Sequence, residues 1–383
     1  MAGIRRRPRE LPPLPDAFEP GAAAPVTSDV PTREERLGLI RALEEARGGR
    51  TVIVYVTSTR DNLEAQMAMD AVPVIYEHLR ALATPRAETR IDLFLHSNGG
   101  EGTVPWRLMT LLREHAAEVN VLVPSNAFSA GTLTALGADT VVMHPMGMLG
   151  PTDPTTFHPF NPTDPDRPGR VLGISVEDVA SYLQLVRDDL GITGEEEVLA
   201  AFALLARKVH PLALGNVKRL TSQSRMLALK LLGLRGGGDP EAHEAIVRRL
   251  TSELYNHGHP INRIEAREDL GIDFVVDATT DEEDAMWALY LAYDADMRMS
   301  EPLIFPQELA MRGALPPVPS PLQGEPPPTF VTLDLPEFRF AFIESSRRCD
   351  VSRAEYQITA TRDVWGRFDF EFVVTSGGWA RRA

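Results

Sequence analysis

IDLFLHSNGG (residues 91–100) and VNVLVPSNAFSAGT (residues 119–132) decide the fold. Each is an apolar run that ends in a polar turn and passes into a helix-forming segment, so each predicts strand, tight turn and helix start. Backbone N–H groups gather at such turns and point toward bound negative charge. Ser129 stands on the second turn, and Asn98-Gly99-Gly100 stands on the first. A serine facing glycine amides has the parts of an acyl-transfer site, a nucleophile with oxyanion donors.

Working outward, TVIVYVTS (residues 51–58) and residues 140–143 give two more near-continuous apolar strands. Helices are expected over 32–46, opened by a Thr32/Glu35 capping box, and over 102–115 and 129–137. Another is expected from Asp61 and Glu64 to about Leu82, kinked or broken at Pro73. Buried strands alternating with helices indicate an α/β fold with a parallel sheet covered on both faces. Residues 149–169 are rich in proline and form an irregular loop, a candidate wall of a substrate groove. Helices follow at about 175–189, 195–208, 216–233 and 240–256, then a short capped helix, a strand at 274–276 and a helix at 281–297.

The organisation expected is a disordered or loosely packed arm (1–30), a main domain (31–300), a Pro-rich linker (301–328) and a small β-rich C-terminal module (329–383). The module is expected because Phe338, Phe340 and Phe342, then Phe368, Phe370 and Phe372, alternate with the period of a strand. It is an antiparallel sheet, free-standing or packed on the main domain.

Composition excludes several classes of function. A net charge of −15 argues against a nucleic-acid footprint or an anionic membrane surface as partner. The lone cysteine, Cys349, leaves no disulfide framework and no thiolate zinc site. Arg5 to Arg7 precede a Pro/Ala stretch instead of the apolar core of a signal peptide. No run approaches the roughly 20 apolar residues of a membrane span, so a cytoplasmic protein is expected.

A serine hydroxyl needs a base. All but three of the 39 basic residues are arginine, which cannot release its proton; the lysines are Lys208, Lys218 and Lys230. A lysine brought from about 10.4 to near 7 must be desolvated, at a cost of about 4 to 5 kcal/mol. With a helix starting near Asn216, Lys218 lies where the macrodipole opposes a cation, whereas Lys208 and Lys230 lie near helix ends that favour one. Lys218 is therefore the preferred base; the alternative is that all three are solvated surface residues. His144 and His158 read as structural, His257 and His259 as a loop with no third ligand, and Ser97 and Asp164 as turn residues. No metal site is expected.

The set Leu95-His96-Ser97-Asn98-Gly99-Gly100, Ser129-Ala130-Gly131-Thr132-Leu133, Gly137-Ala138-Asp139 and Leu149-Gly150-Pro151-Thr152-Asp153-Pro154 resembles the serine dehydrogenase proteinase family. That family is related to signal peptide peptidase A and, more distantly, to the Clp proteolytic subunit. The resemblance spans about Thr51 to Met297. It implies a ClpP/crotonase-like core of repeated β-β-α and βαβ units. It also implies serine-type cleavage of a protein or peptide substrate with no cofactor, and a homo-oligomer. By the same resemblance Ser129 is the nucleophile, and backbone N–H groups of Gly99 or Gly100 and of Ala130 form the oxyanion hole. Residues 215–226, GNVKRLTSQSRM, match the place where signal peptide peptidase A carries its lysine, here Lys218. Asn98, Gly131, Gly150 and Asp153 are expected along the substrate groove. This chain departs from the family pattern at Asn98, where proline is usual, and at Thr152 and Thr155. In the Clp subunit a histidine serves as base at about the position of Thr152 or Asp153; none stands at that position here, which disfavours a His/Asp triad. Two other classes compete: a non-catalytic scaffold on the same fold, and a crotonase-like acyl-CoA enzyme that would need a carboxylate in place of the serine.

Overall fold

The computed structural model describes residues 30–156, 158–164, 171–253, 258–319, 329–363 and 365–382. The expected N-terminal arm lies outside them except for Val30. In chain order the first elements are α1 (Arg33–Ala46), β1 (Thr51–Thr57), α2 (Ala71–Arg80), β2 (Arg90–His96), α3 (Val104–His115) and β3 (Glu118–Val123). Then come β4 (Asn126–Ala127), α4 (Ala130–Leu136), β5 (Val141–Met143), β6 (Met148–Leu149), β7 (Thr155–Thr156) and β8 (Ile174–Ser175). A helical stretch follows: α5 (Val176–Gln184), α6 (Glu195–Lys208), α7 (Pro211–Gly233), α8 (Pro240–Arg248) and α9 (Arg263–Glu268). The chain ends with β9 (Val275–Asp277), α10 (Thr280–Met297), α11 (Phe305–Met311), β10 (Thr329–Ser345), β11 (Arg348–Arg362) and β12 (Phe368–Arg382).

One eight-stranded sheet organises the chain, in the order β12-β11-β10-β1-β2-β3-β5-β9. The five strands from β1 to β9 are parallel, as their apolar runs require. Strand β10 pairs antiparallel with β1, Ile53 opposite Ser345 and Thr57 opposite Ala341, so the C-terminal strands continue the main sheet. A second, much shorter line of pairing crosses the strand ends. It runs from Ser97 to Ala127, from β4 to β6, and from Leu149 to Ile261.

The pleat divides the core. Ile53, Tyr55, Leu93, Leu95, Val121 and Val123 face α2, α3, α4 and α7, while Val52, Val54, Val56, Phe94, Leu122 and Val142 face α1 and α10. Full burial of each such side chain contributes roughly 1.5 to 3 kcal/mol. The α1/α10 side also carries charge. Arg36 donates to Glu344 at 2.9 Å and to Asp296 at 2.8 Å, and Arg47 donates to Asp92 at 2.6 Å.

Two helices start elsewhere than the sequence indicates. Residues 61–70 are not helical: the Asp61 carbonyl accepts from Leu303 N–H at 2.9 Å, and Met67 pairs with Gly100. Helix α2 begins at Ala71, which puts Pro73 in its first turn, where a missing N–H costs nothing. Helix α7 begins at Pro211 instead of near Asn216, with His210 as N-cap accepting from Leu212 N–H. The linker region also contains α11, which packs on the inner side of the C-terminal strands through Leu309 against Leu335 and Ile358. No single helix among the described residues is long and apolar enough to cross a membrane; α6 and α7 pass that test only as a pair bent by 101°.

Removing Arg36 would take a buried partner from both Glu344, left with Tyr293, and Asp296, left with Arg339. Arg36→Met is expected to lower stability by about 3 to 5 kcal/mol, the range for breaking a buried pair, read as the shift in urea midpoint.

Candidate active site

The two turns meet at the C-terminal ends of β2 and β3. Backbone bonds zip them together: Ser97 N–H donates to the Asn126 carbonyl at 2.8 Å, and Phe128 N–H to the Ser97 carbonyl at 3.0 Å. Side chains add to the seam. Asn126 N–H donates to His96 Nδ1 at 3.2 Å, and Asn126 Nδ2 to Asn98 Oδ1 at 3.1 Å.

Ser129 sits at this seam with φ +50° and ψ −107°, a conformation that side chains other than glycine rarely hold. Such a residue costs on the order of 1 to 3 kcal/mol and persists only where its surroundings enforce it. Its position ahead of a helix would normally recruit the hydroxyl as a cap, yet Ser129 makes no side-chain cap bond. The strain presents a half-buried hydroxyl at the mouth of α4, the geometry of a sharp strand-to-helix elbow.

Gly99 lies directly against it. A β-carbon on Gly99 would stand 2.8 Å from Ser129 Cβ and 2.9 Å from the Phe128 carbonyl oxygen, and its φ of +103° is also one that only glycine adopts freely. On Gly100 a β-carbon would stand 2.2 Å from the Met67 carbonyl oxygen. The glycine pair thus lets one backbone touch Ser129 and another touch Met67.

The loop after β6 closes one side. Thr132 Oγ1 is 2.8 Å from the Ala127 carbonyl and 2.9 Å from both the N–H and the carbonyl of Gly150, so the helix grips the Gly150 turn. Ser224 on α7 donates to the Thr152 carbonyl at 2.7 Å, and Asp153 is buried beside it in sequence. Gly131 is buried, and its N–H donates to the Phe128 carbonyl at 2.7 Å. Ser129, Gly99, Gly100, Ala130, Gly131, Asn98 and the Gly150 turn are therefore one neighbourhood.

Lys218 is exposed on α7, the eighth residue of that helix, beyond the first turn in which the macrodipole acts. The start of α7 thus removes the ranking that set Lys218 above the other lysines. Among the described residues no hydrogen bond joins it to Ser129. Lys208 and Lys230 are exposed as well, and the Lys230 ammonium lies 5.3 Å from the Trp106 ring centre. The buried His78 lies between Ser345 Oγ (2.9 Å) and Asp350 Oδ2 (3.0 Å), but that Ser-His-Asp set is sealed in the core at the base of the C-terminal strands.

Sequence reading gave His96 no role of its own. It ends an apolar strand, its Nδ1 holds the second turn, its Nε2 lies 3.3 Å from Thr59 Oγ1, and burial pushes it down to about 3. It is a neutral strut, legible beforehand only as a histidine at the end of a buried run.

Residues 24–161, the region that carries both turns, match the model of the ClpP-like SDH-type serine proteinases. The fold is the corresponding ClpP-like α/β fold, a mixed and mostly parallel sheet extended by antiparallel C-terminal strands. Among similar proteins is Uncharacterized protein MJ1495 of Methanocaldococcus jannaschii, 25% identical over 250 residues, which cover 62% of this chain and 71% of that protein. Uncharacterized protein MJ0137 of the same organism is 33% identical over 127 residues, 31% of this chain and 42% of that protein. Among solved structures, a mutant of the 1510-N membrane-bound stomatin-specific protease aligns with 14% identity and a TM-score of 0.35, over 57% of this chain and 77% of that one.

The neutral His96 predicts acid sensitivity. Its folded value of about 3 lies below the unfolded 6.5, so the unfolded chain binds the extra proton and stability falls as pH drops below about 6.5. At pH 5 the loss is about 2 kcal/mol from this group, and His78, pushed down to about 4 chiefly by burial, adds a similar amount. Thermal melts at pH 7.5 and 5 should show the drop, and His96→Asn should remove roughly half of it.

Proposed function

We propose that the protein is a serine-type endopeptidase acting on protein or peptide substrates, with Ser129 as nucleophile. The observation that carries this reading is the strained backbone of Ser129, which makes no side-chain cap bond and stands directly against Gly99 of the glycine turn. The family match over residues 24–161, a family of serine proteinases, supports the same chemistry. Ser129 Oγ adds to the scissile carbonyl carbon as its proton passes to a base. The carbonyl oxygen takes up the electron pair and is held by backbone amides of the glycine turn and of Ala130. The amine then leaves with a proton, and water releases the acyl group by the same route.

Lys218 serves as the base in this proposal, forming a Ser-Lys dyad. Its exposure in the single chain means that bound substrate or a second copy must cover it before it can act as a neutral amine. Assembly into a homo-oligomer belongs to the same reading. Leu199, Phe202 and Leu204 on α6 and Leu212 on α7 are exposed apolar side chains that a neighbouring subunit would cover. Asn98, Gly131, Gly150 and Asp153 line the groove, and no cofactor takes part. The short pairing line through Ser97, Ala127 and Leu149, which follow β2, β3 and β5 in turn, supports a crotonase-like repeat of a long strand followed by a short one. The boundaries near residues 30, 300 and 328 and a cytoplasmic setting complete the proposal.

A fluorophosphonate probe with unfolded casein as substrate tests the nucleophile. Ser129→Ala is expected to abolish labelling and to lower cleavage at least a thousandfold, and labelling that persists would refute the assignment. Lys218→Arg is expected to stop turnover at pH 7 with the melting temperature unchanged; retained turnover would remove Lys218 from the role.

A further inference from the structure

Ser97, beside the glycine pair, is fully buried, and its hydroxyl is saturated. Thr57 Oγ1 donates to it at 2.8 Å, the Gly99 N–H donates to it at 3.0 Å, and its own proton goes to the Gly99 carbonyl at 3.3 Å. One proton and two lone pairs are all that a hydroxyl has, so nothing is left for chemistry. The Gly99 carbonyl also accepts from Met67 N–H at 2.8 Å. Both polar groups of Gly99 are therefore committed inward, while its α-carbon is what meets Ser129.

Gly100 differs. Its pairing with Met67 runs through the N–H of Met67 and the N–H of Glu101, at 2.8 and 2.9 Å, as in a parallel bridge. That pattern turns the N–H of Gly100 itself away from Met67, and among the described residues it has no acceptor. Resting on the peptidase reading above, we propose that Ser97 is a positioning residue. Its hydroxyl withdraws the Gly99 N–H from the oxyanion hole and locks the turn so that Gly100, together with Ala130, supplies the donors. Thr57, on the neighbouring strand, holds Ser97 in that rotamer.

The test compares wild type, Ser97→Ala, Ser97→Thr and Thr57→Val in peptide hydrolysis. It adds inhibition by a peptide aldehyde, whose hemiacetal oxygen occupies the oxyanion position. Ser97→Ala is expected to lower kcat on the order of tenfold with KM little changed and to weaken the aldehyde by a similar factor. Ser97→Thr, which keeps the hydroxyl, restores most of the loss, and Thr57→Val falls between. A Ser97→Ala enzyme with unchanged or higher kcat and a tighter aldehyde would overturn the proposal, because Gly99 would then be the donor that Ser97 masks. Amide exchange over residues 95–102 provides a readout independent of activity. Exchange at Gly99 should quicken at least tenfold in Ser97→Ala, and an unchanged rate would refute the lock. If wild-type Ser129 takes no fluorophosphonate, the peptidase reading fails and the catalytic role of Ser97 with it, while the exchange result still decides whether the lock exists.

Discussion

The approach of the Gly99 backbone to Ser129 is the constraint from which the rest of the site follows. A side chain at Gly99 would occupy the space of Ser129 Cβ and of the Phe128 carbonyl, so the two turns can close on each other only through a glycine. Once closed, they are held by paired backbone bonds from Ser97 to Asn126 and Phe128, and those bonds leave Ser129 its unusual φ and ψ. The strain is local, and the sheet sustains it: strands β2 and β3 are parallel and in register, so their ends arrive side by side. The segment before α2 lies over the glycine pair through Met67, and the chain beyond α10 anchors that segment through Leu303 and Asp61. Distant parts of the sequence thus converge on one turn.

The two faces of the sheet do different physical work. Toward α2, α3, α4 and α7 the packing is almost wholly apolar, which gives a stiff floor beneath the turns. Toward α1 and α10 the same strands bear Asp92, Asn120 and Glu344, paired with Arg36, Arg47 and Tyr293. Buried ion pairs add little net stability over apolar packing, but an unpaired member is costly, so they penalise wrong registers. Strand β10 carries Glu344 into that network and so is held to the β1 register that also lets Ser58 N–H reach the Phe340 carbonyl at 2.7 Å.

What could be read from the sequence was what local chemistry decides. Apolar runs gave the parallel strands, and Thr32 with Glu35 gave the capping box of α1, whose reciprocal bonds are present. Ser-Asn-Gly-Gly and Asn-Ala-Phe-Ser gave the turns. Reading failed where a tertiary partner outbid a local signal. Asp61 and Glu64 have the spacing of a helix start, yet Asp61 and Met67 bond to Leu303 and the glycine turn, which no local pattern encodes. At α7 the signal is local: His210 followed by Pro211 is an N-cap with proline at the first helical position. The alternating phenylalanines announced antiparallel strands, but a period of two names a face and not a partner, so the pairing of β10 with β1 could come only from the folded chain.

The start of α7 at Pro211 changes where the burden of proton transfer falls in the proposed mechanism. Had the helix begun near Asn216, its dipole would have helped lower the proton affinity of Lys218; beginning at Pro211, it leaves desolvation as the means available. Desolvation on the scale of 4 to 5 kcal/mol requires that water be excluded from the amine, and an exposed helix face cannot exclude it by itself. Apolar side chains stand uncovered on α6 and at the start of α7, the helix that carries Lys218. In the proposed mechanism, covering that surface and creating the base are one event. In that mechanism the elbow and the glycine turn are complete within a single chain, whereas the base proposed for Ser129 is completed by what docks beside it.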